Sequence, residues 1–182
     1  PRHERLRPHE HVAFQTYDFP YAEPDSAGIP RSVQSEVLIA PFNDIETTSA
    51  IIERHHDELG GLIVEPLQRL IPPNPGFLQG LREVTERFET PLIFDEVVTG
   101  FRFGYGGAQE YYGVTPDLCT LGKAVAGGYP LTVVAGREEV MTHFDSSAVS
   151  SEEFLPQIGT LSGNPIAAVA GLATLNILKC EG

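Results

Sequence analysis

Two residues that could act together in catalysis, the acid Asp95 and the amine Lys123, lie 28 positions apart in the sequence. Asp95 follows the apolar run 91–94, and Lys123 follows closely on a second apolar run, 118–121. Short apolar runs followed by polar residues are typical of buried parallel strands, and open α/β sheets bind ligands beyond the carboxyl ends of such strands. The pattern therefore predicts that a carboxylate and an amine project into one crevice.

The surroundings of Lys123 favour a desolvated amine. It is one of only two lysines, the other being Lys179, and small or apolar residues flank it from Gly122 to Gly128. A desolvated ammonium loses its proton readily and becomes a nucleophile for a carbonyl carbon. Alone, Lys123 is better explained as a lysine with a buried stem and a solvated head. Paired with Asp95, it matches the Schiff-base lysine and the pyridinium-binding acid that pyridoxal phosphate requires.

Four motifs in a fixed order carry a resemblance to a known family. They are residues 95–102 (DEVVTGFR), 106–110 (GGAQE), 115–118 (TPDL) and 121–123 (LGK). In this order and spacing they resemble the class III pyridoxal-phosphate-dependent aminotransferases, most closely the branch that contains glutamate-1-semialdehyde 2,1-aminomutase. The resemblance extends from about residue 25 to the end of the chain.

The resemblance implies a role for each of five residues. Lys123 would form the Schiff base with pyridoxal 5'-phosphate and move the proton between substrate and cofactor carbons. Asp95 would pair with the protonated pyridine nitrogen, which keeps the ring cationic and able to accept electrons. Val97 would pack on the ring face, although a plain core valine is an alternative. Gly159 and Thr160 would bind the cofactor phosphate of the neighbouring subunit, which implies a homodimer with shared active sites.

The implied fold is α/β, the large domain of the fold type I pyridoxal-phosphate transferases, present in part, with a mostly parallel sheet flanked by helices. We expect an irregular segment over residues 1–32 and the partial cofactor-binding domain over 33–182. The apolar periodicity and capping signals predict the following elements: strands at 35–40, 62–64, 91–94, 117–121 and 131–135, and helices after Asn43 (with Glu46 in a capping box), after Asn74 (with Pro75 first), at 137–144 and after Asn164 (with Pro165 first).

Composition excludes several other functions. A net charge of −13 argues against nucleic-acid binding, because a phosphate backbone requires a basic surface. The sequence has neither an apolar run of membrane-spanning length nor a signal-peptide pattern. Two cysteines do not make a disulfide framework, which fits the cytoplasm, and no metal-ligand spacing occurs.

Two departures from the family pattern leave the activity open. The aminomutase-like segment after Glu65 and Pro66 is about three residues shorter here, where residues 67–71 lead directly to a proline pair. This favours an intermolecular transaminase acting on a small amino or keto compound over the intramolecular aminomutase. Glu65 would lie near the substrate or simply cap a loop. The upstream phosphate loop and the C-terminal small domain are not in the sequence, so a truncated, non-catalytic cofactor-binding domain is a further alternative.

Overall fold

The structure is a computed structural model that describes residues 20, 21, 24 and 26–181. Most of the segment predicted to be irregular, 1–32, lies outside these residues, and its end begins a short helix, α1 (Arg31–Gln34). The helices that follow are α2 (Ile45–His55), α3 (Phe77–Arg87), α4 (Gly107–Tyr112), α5 (Glu138–Met141) and α6 (Pro165–Glu181), with 3₁₀ helices at Lys123–Ala126 and Thr142–Phe144. In the described ranges, no helix is both long enough and apolar enough to cross a membrane.

Four strands form one mixed sheet that positions the candidate site. They are β1 (Leu62–Val64), β2 (Leu92–Glu96), β3 (Leu118–Leu121) and β4 (Val133–Gly136), and they lie side by side in that order. β1, β2 and β3 run parallel, whereas β4 pairs with β3 in the antiparallel sense. α3 and α4 provide the crossovers between the parallel strands. The prediction of a mostly parallel sheet with flanking helices is therefore confirmed.

The core lies between β2 and α3. Along β2, Leu92 and Phe94 are fully buried, while the intervening Ile93 is only partly buried. α3 presents Phe77 and Leu81 to the same cluster, and both are buried as its helical spacing predicts. The alternation along β2 also separates Asp95, on the less buried side, from Glu96 on the fully buried side.

The strand predicted at 35–40 is wrong. Residues 35 and 36 form a turn and 37–40 have no regular structure. The N–H of Ile39 donates to the carbonyl of Pro20, and no strand in the described residues pairs with this stretch. A cleft separates it from β1. A strand requires a hydrogen-bonded neighbour, and apolar alternation alone does not supply one.

The two predicted helix starts nearest the N-terminus are shifted in the structure. Asp44, not Asn43, caps α2, since its carboxylate accepts from the N–H of Thr47 at 2.9 Å. Asn43 has a φ of 68° and instead accepts from the N–H of Asn74 at 2.7 Å. α3 begins at Phe77, two residues after the predicted first position. Asparagine tolerates the left-handed conformation, so Asn43 serves as a loop bridge rather than as a cap.

The predicted start of α6 is confirmed. Pro165 is its first residue, and Oδ1 of Asn164 accepts from the N–H groups of Ile166 at 3.0 Å and Ala167 at 3.2 Å. Such a cap satisfies backbone donors that have no partner in the first turn.

The apolar spacing of α6 predicts five buried positions: Ile166, Val169, Leu172, Ala173 and Leu175. The prediction is wrong for the first four, which are exposed, whereas Leu175 is partly buried. Ile166, Val169 and Leu172 are 65%, 68% and 63% exposed, whereas Ala167 and Gly171 are buried. Helix α6 packs through its small residues on the 3₁₀ helix Lys123–Ala126, and large side chains would hold the two segments apart. The apolar spacing predicted that a helix forms here, but it did not predict which side of α6 packs against the rest of the structure.

Gly171 sets how closely α6 approaches the segment that carries Lys123. A β-carbon there would lie 2.7 Å from Cδ2 of Leu131 and 3.7 Å from the carbonyl oxygen of Val125. We expect Gly171→Val to lower the free energy of unfolding by about 1 to 3 kcal/mol, because a branched side chain overpacks this contact. Denaturant unfolding would measure it, with exposed Ala168→Val as the control. Equal losses in the two variants would contradict the packing role.

Asp117 joins three elements at the amino ends of the strands. Its Oδ2 accepts from Arg82 of α3 at 2.9 Å and from the N–H of Leu92 at 2.8 Å, and its Oδ1 accepts from Arg137 at 3.0 Å. Burial raises the pKa of this carboxyl, but the hydrogen bond from Leu92 and the interactions with Arg82 and Arg137 outweigh burial and lower the pKa below its ordinary value of 3.8.

The lowered pKa of Asp117 predicts an acid-sensitive contribution to stability. A carboxyl with a depressed pKa in the folded state stabilises the fold above its unfolded pKa and loses that effect as the pH falls through its folded pKa. We expect Asp117→Asn to cost about 1.5 to 3 kcal/mol at neutral pH, the range for hydrogen bonds to charged groups. Unfolding curves at several pH values should show this difference shrinking below about pH 4. A difference that does not change with pH would contradict the ionised role.

Candidate active site

The sheet register places Asp95 and Lys123 at the same end of the sheet, where the parallel strands have their carboxyl ends. Asp95 in β2 lies opposite Thr120 in β3, and Glu96 lies opposite Leu121. Lys123 follows two residues after Leu121 and begins the 3₁₀ helix. Both groups therefore stand at the carboxyl ends of adjacent parallel strands, where α/β sheets bind their ligands.

The carboxylate of Asp95 is held through one oxygen. Its Oδ1 accepts from the N–H of Val97 at 3.0 Å and from the hydroxyl of Thr120 at 3.2 Å. In the described part of the chain, Oδ2 has no hydrogen-bond partner, and Asp95 forms no ion pair. An oriented, half-buried carboxylate with one oxygen available fits a ligand that presents a charged N–H, such as a pyridinium ring.

Val97 connects the acid to the lysine segment. Its N–H holds Asp95, and a β-carbon built on Gly122 would lie 3.4 Å from its Cγ1. This is ordinary van der Waals contact, so the Val97 side chain packs beside the residue that precedes Lys123. The strand ends at Glu96, so Val97 begins the turn rather than continuing β2.

Lys123 has an unusual backbone conformation and an exposed side chain. Its φ is 47°, in the left-handed region that costs a residue with a β-carbon about 1 to 2 kcal/mol. Such strain persists only where the surroundings impose it, and it concentrates at functional sites. The side chain of Lys123 is exposed at the carboxyl end of β3, which agrees with a lysine whose head is solvated and not with a desolvated amine.

A cleft of about 540 Å³ adjoins Asp95 along the outer edge of β1. Glu65 and Gln68 line it together with Asp95, and most of its other lining residues are apolar. The shortened segment after Glu65 forms a tight turn from Gln68 to Ile71, closed by the N–H of Ile71 donating to the carbonyl of Gln68 at 2.8 Å. Glu65 thus lines the same cleft as Asp95, and its Oε2 accepts from the N–H of Arg69 at 3.5 Å, so a place near the substrate and a loop-capping role both stay open.

Gly159 and Thr160 lie apart from this cleft. Both are exposed and form the start of the turn that leads into α6. The N–H of Ser162 donates to the carbonyl of Gly159 at 3.0 Å. Their predicted contact with the cofactor phosphate of a neighbouring subunit remains a prediction.

One residue of this region was missed from the sequence, the buried acid Glu96. Its carboxylate accepts from the hydroxyl of Thr99, from the N–H of Ala108, and from both the N–H and the side-chain amide of Gln109. The alternation that places Leu92 and Phe94 in the core also places Glu96 there. An acid in phase with the buried positions of a strand was the signal that could have identified it.

Comparison with known proteins assigns the family. The model of the class III aminotransferases matches residues 10–182. A glutamate-1-semialdehyde 2,1-aminomutase of Natranaerobius thermophilus is 46% identical over 162 residues, which cover 87% of this chain and 36% of that protein. The chain therefore spans 36% of the length of this curated relative.

Solved structures agree with this assignment. An omega-transaminase from Sphaerobacter thermophilus is 44% identical with a TM-score of 0.81, over 88% of this chain and 36% of that one. A transaminase with PLP bound is 34% identical with a TM-score of 0.77, over 84% and 36%. The fold is thus part of the large domain of the fold type I pyridoxal-phosphate enzymes, and transaminases and an aminomutase both occur among the relatives. This chain belongs to the class III aminotransferase family, whose members depend on pyridoxal phosphate.

Proposed function

We propose that this chain carries the cofactor-binding core of a pyridoxal-5'-phosphate-dependent transaminase that moves an amino group to or from a small amino or keto compound. One observation carries the proposal. Asp95, whose Oδ2 is available, lies at the carboxyl end of β2, and Lys123 follows the carboxyl end of the neighbouring strand β3. When bound, the cofactor supplies an aldehyde for an amine and a cationic ring that accepts electrons.

Each residue then has a task that its own chemistry allows. Asp95 holds a proton on the ring nitrogen through Oδ2, while Val97 and Thr120 fix its other oxygen. Lys123 would hold the cofactor through its amine, and that amine, once the substrate amine has displaced it, would accept and return a proton as a general base. Val97 offers an apolar side chain beside Gly122 on which a flat ring can pack.

An intramolecular aminomutase is the second candidate, supported by the relative that is 46% identical. The turn from Gln68 to Ile71 supports the transaminase instead. Arg69 and Leu70 both have positive φ values, 47° and 71°, which make this a compact two-residue turn beside Glu65. Such a turn leaves the cleft beside Asp95 more open than a longer segment would. An open cleft suits release of one product before a second substrate binds.

We further propose that two copies form a homodimer in which Gly159 and Thr160 of one subunit reach the cofactor phosphate of the other. The exposed apolar residues Ile166, Val169 and Leu172 on α6 support this proposal, because they adjoin that segment and would be covered by a partner. Sedimentation analysis of the wild type and of Thr160→Ala, with and without cofactor, tests it. A monomer that binds the cofactor at full affinity would contradict it.

We infer a cytoplasmic location. Cys119 is buried and Cys180 is exposed, and both are free thiols. An exposed free thiol persists best in a reducing compartment. Cell fractionation, with the thiol of Cys180 titrated directly after lysis, tests this inference, and an oxidised thiol or an extracellular protein would contradict it.

The activity is tested by absorbance and labelling. The protein, expressed from the complete reading frame that contains these residues, is mixed with pyridoxal phosphate, reduced with borohydride and digested for peptide mapping. We expect a stable label on Lys123 and none on Lys179, the only other lysine of this sequence, or on lysines elsewhere in the reading frame. A label on Lys179 alone, or only on a lysine outside these residues, would contradict the proposal. A labelled Lys123 without amino transfer to any keto acid would instead favour a cofactor-binding domain that is not catalytic.

A further inference from the structure

Glu96 is a buried carboxylate, and both of its oxygens accept hydrogen bonds from residues of its own chain. Its side chain has no exposed surface, and no cation in the described residues forms an ion pair with it. Four donors surround it at 2.6 to 3.3 Å, two on each oxygen. A buried charge without a cation is tolerated only when donors replace water in this way. Glu96 therefore organises structure and has no oxygen left for a ligand.

The donors belong to one continuous loop. Thr99 lies at the start of this loop, and Ala108 and Gln109 lie in the first turn of α4 at its end. The loop is shaped around the carboxylate, since a β-carbon on Gly107 would lie 2.5 Å from Oε2 and φ at this glycine is 67°. Glu96 thus fastens both ends of residues 99–109 to the carboxyl end of β2.

The contacts of Glu96 also affect how Asp95 is oriented. The carbonyl of Glu96 accepts from the N–H of Gly100 at 2.8 Å, which closes the turn after β2. Val97 lies inside this turn, and its N–H holds Oδ1 of Asp95 at 3.0 Å. If the Glu96 side chain releases the loop, the turn loosens and Asp95 loses the donor that orients it.

We propose that Glu96 is a positioning residue of the cofactor site, whose buried carboxylate holds the turn at residues 96–100 so that Asp95 presents Oδ2 to the ring nitrogen. The proposal rests on the proposed function, because it concerns the group that Asp95 binds. Glu96 does not touch that group, and it acts through the backbone of Val97 and the loop at 99–109.

Glu96→Gln is the sharpest test, because it keeps the size of the side chain and changes only its acceptors. One oxygen becomes an amide NH₂, which faces N–H or O–H donors and cannot accept from them. The probe is pyridoxal phosphate with a ¹⁵N-labelled ring, bound to the protein from its complete reading frame. We expect the dissociation constant for pyridoxal phosphate to rise roughly tenfold to a hundredfold, the range seen when a residue that orients a ligand-binding group is replaced. We also expect the ¹⁵N shift to report ring deprotonation at a pH lower by about one unit or more.

Asp117→Asn is the matched control. It is also a buried acid-to-amide change, but Asp117 immediately precedes β3, at the amino end of the strands and away from Asp95. It should lower stability and leave the ¹⁵N titration unchanged.

Adding Gln109→Glu to Glu96→Gln exchanges the amide and the carboxylate across their 2.9 Å hydrogen bond and should restore part of the titration. If Glu96→Gln does not fold, Gln109→Met, which removes one donor, replaces it in the same measurement.

The outcomes separate the two proposals. A wild-type protein that does not bind pyridoxal phosphate through Lys123 would overturn the proposed function, and this inference with it. Normal wild-type binding, with Glu96→Gln or its substitute less stable but unchanged in affinity and ¹⁵N titration, would overturn only the positioning role. A titration shifted in Glu96→Gln and not in Asp117→Asn would support it.

Discussion

Replacing Lys123 by glycine is expected to lower the rate of amino transfer roughly 10⁴-fold, because the change removes both the amine that binds the cofactor and the base that moves the proton. The variant should remain folded. Lys123 has a φ of 47°, a conformation that glycine adopts without steric cost. We therefore expect the free energy of unfolding to stay the same or to rise by up to about 1 kcal/mol. Single-turnover absorbance after mixing with an amino donor, together with denaturant unfolding, measures both effects.

Two comparisons make the Lys123 result specific. Lys179→Ala removes the only other lysine of this sequence, an exposed residue in the last turn of α6, and should leave the rate within about twofold, as expected for a surface substitution. Added ethylamine should restore part of the activity of Lys123→Gly, since a free amine can occupy the space and accept the proton. A Lys123 variant that retains more than a tenth of the wild-type rate would refute the assignment.

Local patterns predicted the parts of the fold that depend on neighbours in sequence. The strand at 62–64 and the cap at Asn164 follow from an apolar run and from a polar residue before a proline. The strand predicted at 35–40 was wrong because pairing depends on a partner that sequence alternation does not reveal. The prediction of the buried side of α6 was wrong for a similar reason, since apolar residues lie on every side of most of the helix and the close contact at Gly171 decides which side packs.

The candidate site was predictable as residue types and not as geometry. Asp95 and Lys123 stand out because an acid and an amine follow successive apolar runs, and the sheet register brings both to one edge. The sequence left both exposure and desolvation of Lys123 open, because small flanking residues are equally compatible with burial and with a strained, open turn. Glu96 was missed because a carboxylate in a core depends on donors from residues 99–109, which the chain assembles only in three dimensions.

Replacing Asp95 by asparagine is expected to lower the rate of amino transfer about 10²- to 10³-fold, the cost of removing one preorganised electrostatic group from an active site. The amide has nearly the same shape and can still accept from Val97 and Thr120. It carries no charge to hold a proton on the ring nitrogen, so the ring loses its capacity to take up electrons. Single-turnover kinetics and the ¹⁵N shift of the labelled ring nitrogen should change together.

Thr120→Val tests whether the charge of Asp95 or its orientation matters more for the rate. It removes only the 3.2 Å hydrogen bond to Oδ1 and leaves the charge and the bond from Val97 in place. We therefore expect a loss of no more than about tenfold, in line with a single hydrogen bond to a charged group. If Thr120→Val and Asp95→Asn were equally slow, orientation and not charge would be the contribution of Asp95. If Asp95→Asn kept a protonated ring nitrogen and the wild-type rate, another group would have to hold that proton, and the assignment of Asp95 would be wrong.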